Sequence, residues 1–205
     1  MTGTDKLTCE SIEVKPSSKI LTPRTWIEEY ESLCESIART ARKSWKRQGT
    51  NPDFLLKRIV DGEENVVEHA VITVRWVVSR SIAQQLTRHR IASYCGSSLR
   101  ILEHSLEWVM PAFQSEEAKV IFAKHAQACA DCYAALLALG EKPEEARDAF
   151  PLATAQTLDS TLNLSSWRNV FRKRCSPKAQ KPHREMMGRL RDEFKALMPK
   201  VFGDL

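Results

Sequence analysis

Ala70-Val71-Ile72-Thr73-Val74-Arg75-Trp76-Val77-Val78 is rich in β-branched and aromatic residues, the side chains that fit a pleated, half-buried surface. It reads as a strand. Ser79 or Ser81 then caps a helix that runs to about Ile91. Upstream, Thr25 serves as N-cap of a helix through Trp26, Ile27, Tyr30, Leu33, Cys34, Ile37, Ala38 and Ala41, a one-faced spacing of three and four. Gly49-Thr50-Asn51-Pro52 breaks the chain, and a short helix from Phe54 to Val60 ends at Asp61-Gly62. Residues 1–21 read as an irregular arm. Downstream, a second extended stretch covers Ser98 to Leu106. A long helix spans Glu116 to Leu139, with Ser115 as N-cap, acids in its first turn and Gly140 as its stop. Pro143-Glu144-Glu145 starts a short helix ended by Pro151. Asp159 or Ser160 opens another that carries Leu162, Leu164, Trp167, Val170 and Phe171. A final helix from about Pro182 presents Met187, Leu190, Phe194 and Leu197 on one face. With no internal repeat and no low-complexity linker, the expectation is a single α+β domain over 1–205.

Composition agrees with that class. The 205 residues are 42% hydrophobic and 28% charged, ordinary values for a globular chain able to bury a core. No apolar run approaches the roughly 20 residues of a membrane helix. Met1 to Pro16 mixes Asp5, Lys6, Glu10 and Glu13 with few apolar residues and lacks the apolar stretch of a secretory signal. The six cysteines are scattered, so reduced thiols in the cytoplasm are expected. Cys129-Ala130-Asp131-Cys132 has redox or zinc spacing but no second pair nearby, and no metal is expected. A net charge of +5 raises nucleic acid as a partner. The excess is concentrated between Arg168 and Arg191. Charge alone leaves open whether it serves a polymer, a mononucleotide or a solvated helix face.

Chemistry concentrates after the strand and helix. Gln85-Leu86-Thr87-Arg88-His89-Arg90 sets two guanidiniums around an imidazole, and Ser93-Tyr94-Cys95-Gly96-Ser97-Ser98-Leu99-Arg100 adds a turn of small residues and a further arginine. Arginine forks match phosphate and pyrimidine carbonyl oxygens, and guanidinium planes stack on flat rings. Small residues let backbone N–H groups approach a ligand. The plainer reading of such a cluster is a surface charge patch. Cys95 has no feature of an activated thiol and reads as a pocket-lining residue.

Arg88-His89-Arg90, seven residues, then Ser98 resembles the signature of the flavin-dependent thymidylate synthases. The resemblance continues through Ile37-Ala38-Arg39-Thr40-Ala41-Arg42, Leu56-Lys57-Arg58-Ile59 and Val67-Glu68-His69-Ala70-Val71-Ile72-Thr73. It runs on through Ala146-Arg147, Phe150-Pro151, Thr161, Asn163, Arg174 and Ala179-Gln180. It implies an α+β fold with a central sheet flanked by helices, assembled as a homotetramer with shared active sites. It implies FAD as prosthetic group, NADPH as reductant and methylenetetrahydrofolate as one-carbon donor. By position, Gln85, Arg88, Ser98, Arg100, Arg147 and Arg174 would bind the nucleotide. Arg174, which polarises the base, and Ser98 are the catalytic candidates. His69, His89, Arg90, Cys95 and Asn163 would contact flavin or folate.

The chain departs from the family pattern at Cys95-Gly96, Ile101, Ser165 and Lys178. These changes remove polar groups and bulk and imply a roomier pocket near sugar or base. A branch of the family in polyoxin-type nucleoside antibiotic biosynthesis methylates UMP as well as dUMP. The expectation is therefore C5-methylation of UMP, dUMP or both. The alternatives are dUMP-only thymidylate synthesis, hydroxymethylation of a cytosine nucleotide, and a non-catalytic nucleic-acid-binding protein, for which Trp167 is the aromatic-basic pairing that fits.

Overall fold

The computed structural model describes residues 8–99 and 105–205. In chain order they form β1 (Glu10–Glu13), β2 (Ser17–Ile20), α1 (Arg24–Thr40), α2 (Phe54–Val60), β3 (Val71–Ser79), α3 (Arg80–Leu86) and β4 (Ser93–Gly96). After these come β5 (Ser105–Trp108), α4 (Glu116–Ala138), α5 (Pro143–Ala146), β6 (Ala155–Asn163), α6 (Leu164–Arg174), α7 (Lys181–Leu197) and α8 (Pro199–Phe202). Four strands hydrogen-bond in the order β2–β3–β6–β4, and β1 pairs with β5 in parallel. The class is α+β. No helix among the described residues is long and apolar enough to cross a membrane.

The chain clusters into two compact units. One holds the described residues of Met1–Ser17, Val77–Leu86 and Gly96–Leu158, and the other holds Ser18–Trp76, Thr87–Cys95 and Asp159–Leu205. In the second unit, Ile72, Val74 and Trp76 of β3 point inward while Val71 and Arg75 face out, the period of two that a strand imposes. Trp76 and Trp167 lie 6.1 Å apart, and Phe171, Phe194 and Phe202 extend the cluster through edge contacts of 5.2–5.9 Å. Each such aromatic pair adds about 0.5–1.5 kcal/mol beyond its buried area. Both indole N–H groups are satisfied, Trp76 Nε1 by Ser160 Oγ at 2.8 Å and Trp167 Nε1 by the Ile72 carbonyl at 3.1 Å. Trp167 is therefore a core residue, closed to stacking on a nucleic-acid base. Arg168, counted above in the basic excess, is fully buried and fork-bonded to Asp204 at 2.7 and 2.6 Å, with Glu64 at 3.1 Å. It ties the C-terminal residues to the core and is neither a solvated face nor a phosphate contact.

Four boundaries differ from the sequence reading. Asp159 and Ser160 do not open a helix. They belong to β6, where Leu158, Ser160 and Leu162 are buried in alternation, and Asp159 receives both Nε and Nη2 of Arg75 at 2.8 Å. Small polar residues at buried strand positions imitate a helix cap in sequence. The helix begins at Leu164 instead, behind Asn163. The cap of α1 is Pro23, not Thr25; its extended backbone turns its carbonyl to the N–H groups of Trp26 and Ile27. Helix α3 ends at Leu86 rather than Ile91, and beyond it the His89 carbonyl accepts the Tyr94 hydroxyl at 2.9 Å instead of a helical N–H. The extended stretch expected over Ser98 to Leu106 is in strand from Ser105 onward, while Ser93–Gly96 forms β4. Arg100 to His104 lie outside the described residues.

In the first unit, the arm expected to be irregular contains β1, and Ser17 begins β2. Pairing of Glu10 with Ser105 through Glu13 with Trp108 is a non-local choice that the mixed Glu10-Ser11-Ile12-Glu13 does not announce. Trp108 Nε1 fixes it by donating to Ser11 Oγ at 2.8 Å. Leu106 and Trp108 pack with Ala126, Ala130 and Tyr133 of α4. That helix starts as read, with Ser115 Oγ accepting from the Ala118 N–H at 3.1 Å, and Gly140 follows its end at φ 88°.

Candidate functional site

The apolar face of α6 (Trp167, Val170, Phe171) is buried, and this places Arg174 at the helix end. The helix start is held by Asn163, whose Oδ1 accepts the Ser166 N–H at 2.8 Å. Arg174 Nε donates to His89 Nε2 at 3.0 Å. An imidazole nitrogen that accepts carries no proton, so the His89 ring is neutral and its hydrogen sits on Nδ1. Burial, then the charges of Arg174 and Lys173, push the His89 pKa down from 6.5 to about 4. The same loop is pinned by Tyr94, whose phenol burial pushes up to about 12, keeping it a donor.

Positive charge accumulates around this pair. Burial and the neighbouring Arg88 lower the pKa of the Arg174 guanidinium, with a smaller opposing effect from Tyr94. Among the described residues, Arg88 and Arg90 form no ion pair and are exposed. A fully buried imidazole, His183 on α7, is held down to about 4 by burial, then by Arg174 and His89. Arg88, His89 and Arg174 thus lie together in the structure. His183 was not singled out, although its place on the face of Met187, Leu190 and Phe194 marked it for burial beside this cluster.

The remaining candidates are placed differently. His69 is exposed in the turn before β3, and Cys95 is exposed on β4. The one hydrogen bond described for the Asn163 side chain is the helix cap, the plainer of its two readings. In the other unit, Gln85 is half-buried in the last turn of α3 and Ser98 is exposed after β4. Arg147 Nε there donates to the Glu144 carbonyl at 3.0 Å. Arg100 lies outside the described residues. Gly96 does not leave the room expected of it. A Cβ there would lie 2.7 Å from Gln156 Nε2 and 3.5 Å from Leu158 Cδ1, so the Gln156 amide occupies that space.

A neutral acceptor ring, a half-buried guanidinium and the exposed Arg88, which has no ion pair among the described residues, offer chemistry that suits an anionic, planar ligand. The family model described as thymidylate synthase complementing protein matches residues 24–200, which include this whole cluster. The chain belongs to that family. The flavin-dependent thymidylate synthase of Geobacter sulfurreducens is 34% identical over 157 residues, 74% of this chain and 68% of that one. The protein of the same name from Mycobacterium sp. (strain JLS) is 30% identical over 200 residues, 84% and 79% of the two chains. In fold, the chain is similar to thymidylate synthase X from Helicobacter pylori, whose crystal structure holds FAD and dUMP. The TM-score is 0.71 at 20% identity, over 92% of this chain and 98% of that one. Within the thymidylate synthase complementing family, this member carries the Arg88-His89-Arg90 signature on the turn between α3 and β4.

Proposed function

We propose that the protein methylates C5 of a uridine monophosphate, accepting UMP as well as dUMP, with FAD, NADPH and methylenetetrahydrofolate, as a cytoplasmic homotetramer with shared active sites. The observation that carries this reading is the cationic cluster of Arg88, Lys173 and Arg174 around a neutral His89. That donor set suits the phosphates and carbonyl oxygens of a flavin dinucleotide and a nucleotide. When bound, the flavin supplies the redox and one-carbon chemistry. The chain's own residues bind, orient and polarise. Arg88 holds phosphate charge. Arg174, oriented through its bond to His89, draws electron density toward the pyrimidine carbonyl oxygens so that C5 and C6 react. His89 stays uncharged at neutral pH and adds no further repulsion to the arginines. Arg90 contacts the flavin. Gln85, Ser98, Arg100 and Arg147 complete the nucleotide site, as the family resemblance implies.

A second reading, dUMP as sole substrate, is favoured by one observation. The Gln156 amide fills the space beside Gly96, so this glycine by itself does not make room for a ribose hydroxyl. FAD binding tests the shared basis of both readings. Purified protein mixed with FAD is expected to carry flavin absorbance through gel filtration in the tetramer fraction. Folded tetramer that holds no flavin at saturating FAD would refute both.

A further inference from the structure

Apart from the Arg88–His89–Arg174 cluster, in the unit that carries α1 and α2, Arg39, Arg42, Ser44, Arg47, Thr50, Asn51 and Phe54 line a cavity of about 240 Å³. Arg39 is 3% exposed, and its guanidinium lies 4.0 Å over the Phe54 ring. Its Nε donates to Glu35 Oε1 at 2.7 Å. Nη2 lies as close to that oxygen but out of line for a hydrogen bond, and remains a buried donor without an acceptor among the described residues. Glu35 also takes the Gly49 N–H at 2.9 Å. Burial would raise its pKa, yet the Gly49 and Arg39 donors hold it below the ordinary value, so it stays ionised and balances Arg39.

The rest of the wall is biased toward donors. Arg42 is paired with Glu63, but Arg47 has no carboxylate partner among the described residues. Thr50 Oγ1 gives its proton to the Arg47 carbonyl at 2.7 Å, and Asn51 Oδ1 accepts the Asp53 N–H at 3.0 Å. Unused in these contacts are the Asn51 amide hydrogens, the Ser44 hydroxyl, the Arg47 fork and Arg39 Nη2. Such a wall repels a cation and leaves the buried Arg39 Nη2 unsatisfied against an apolar group, whereas an oxyanion satisfies it and is within reach of the exposed Arg47 and Asn51 and the half-buried Ser44. We infer that this cavity is a second anion site, taking one phosphate or carboxylate group through Arg39, Ser44, Arg47 and Asn51.

The inference does not rest on the flavin reading, and its test is binding alone. Inorganic phosphate and glutamate, titrated calorimetrically at fixed ionic strength, are the two probes. The protein is the full chain carrying Arg88→Ala, which weakens the other cluster. Saturable binding of one anion per chain is expected. Adding Arg47→Ala should weaken it at least about tenfold, the factor that one charge-assisted hydrogen bond carries. Arg39→Gln strips the counter-charge from a buried carboxylate and threatens folding, so Ser44→Ala and Asn51→Ala serve as the second variants. A preference for phosphate or for glutamate identifies which group the natural ligand presents. Absence of saturable binding by both probes overturns the inference. So does an affinity unchanged by Arg47→Ala, Ser44→Ala and Asn51→Ala, since the anion would then sit elsewhere.

Discussion

Replacing His183 with glutamine should flatten the acid limb of the stability profile. The ring is fully buried, and its pKa falls from 6.5 to about 4, through burial first and then the charges near it. The folded state therefore keeps the ring neutral where the unfolded chain already binds a proton. This contribution is complete above about pH 6.5 and is lost as pH falls toward about 4. At about 1.4 kcal/mol per pH unit, protonation of the unfolded ring costs about 2 kcal/mol of stability by pH 5 and about 3 kcal/mol by pH 4. Glutamine fills similar space and does not titrate. Urea unfolding of both proteins, at one protein concentration, between about pH 7.5 and pH 5 stays above the range where unfolded carboxylates take up protons. The wild type should lose about 2 kcal/mol more than the variant over that interval. Parallel profiles would refute the reasoning, since His183 would then share one pKa in both states.

Arg174→Ala should abolish turnover and weaken nucleotide binding by roughly 1.5–3 kcal/mol, while the His89 pKa, followed by NMR, rises toward its ordinary value as the adjacent charge disappears. Arg174→Lys should also fail, because an ammonium lacks the planar fork; near-normal kinetics in either variant would make Arg174 a surface charge. Asn163→Ala should destabilise the protein by about 1 kcal/mol through loss of the α6 cap. Unchanged stability with loss of flavin would instead put Asn163 on the cofactor. Gly96→Gln must displace the Gln156 amide and should lower UMP and dUMP turnover alike, because this glycine by itself makes no room for the ribose hydroxyl; a loss selective for UMP would put this loop in sugar selection.

Local signals in the sequence carried much of this. β3 was legible because Ala70 to Val78 is rich in β-branched and aromatic residues, and α4 because Ser115, the acids after it and Gly140 bracket it. What escaped was decided by distant partners. Glu10–Glu13 becomes a strand only against Ser105–Trp108, and Asp159 and Ser160 are strand residues because Arg75 and Trp76 meet them there. The site shows the same division. Arg88, His89 and Arg174 were found by motif and order along the chain. That His89 accepts from Arg174, that His183 is buried beside them, and that Gln156 occupies the space at Gly96 depend on packing between segments far apart in sequence.

The reaction itself decides between these readings. The protein is incubated with FAD, NADPH and methylenetetrahydrofolate against UMP, dUMP and dCMP separately, and the nucleotides are resolved by mass spectrometry. A product heavier by one methylene unit, with the methyl group on C5, is expected from both UMP and dUMP and none from dCMP. The two rates should differ by about 10–100-fold at most, the scale of a small-group difference. Conversion of dUMP with UMP untouched would contradict the wider substrate range. Flavin-loaded protein that modifies neither uridine nucleotide would contradict the account as a whole.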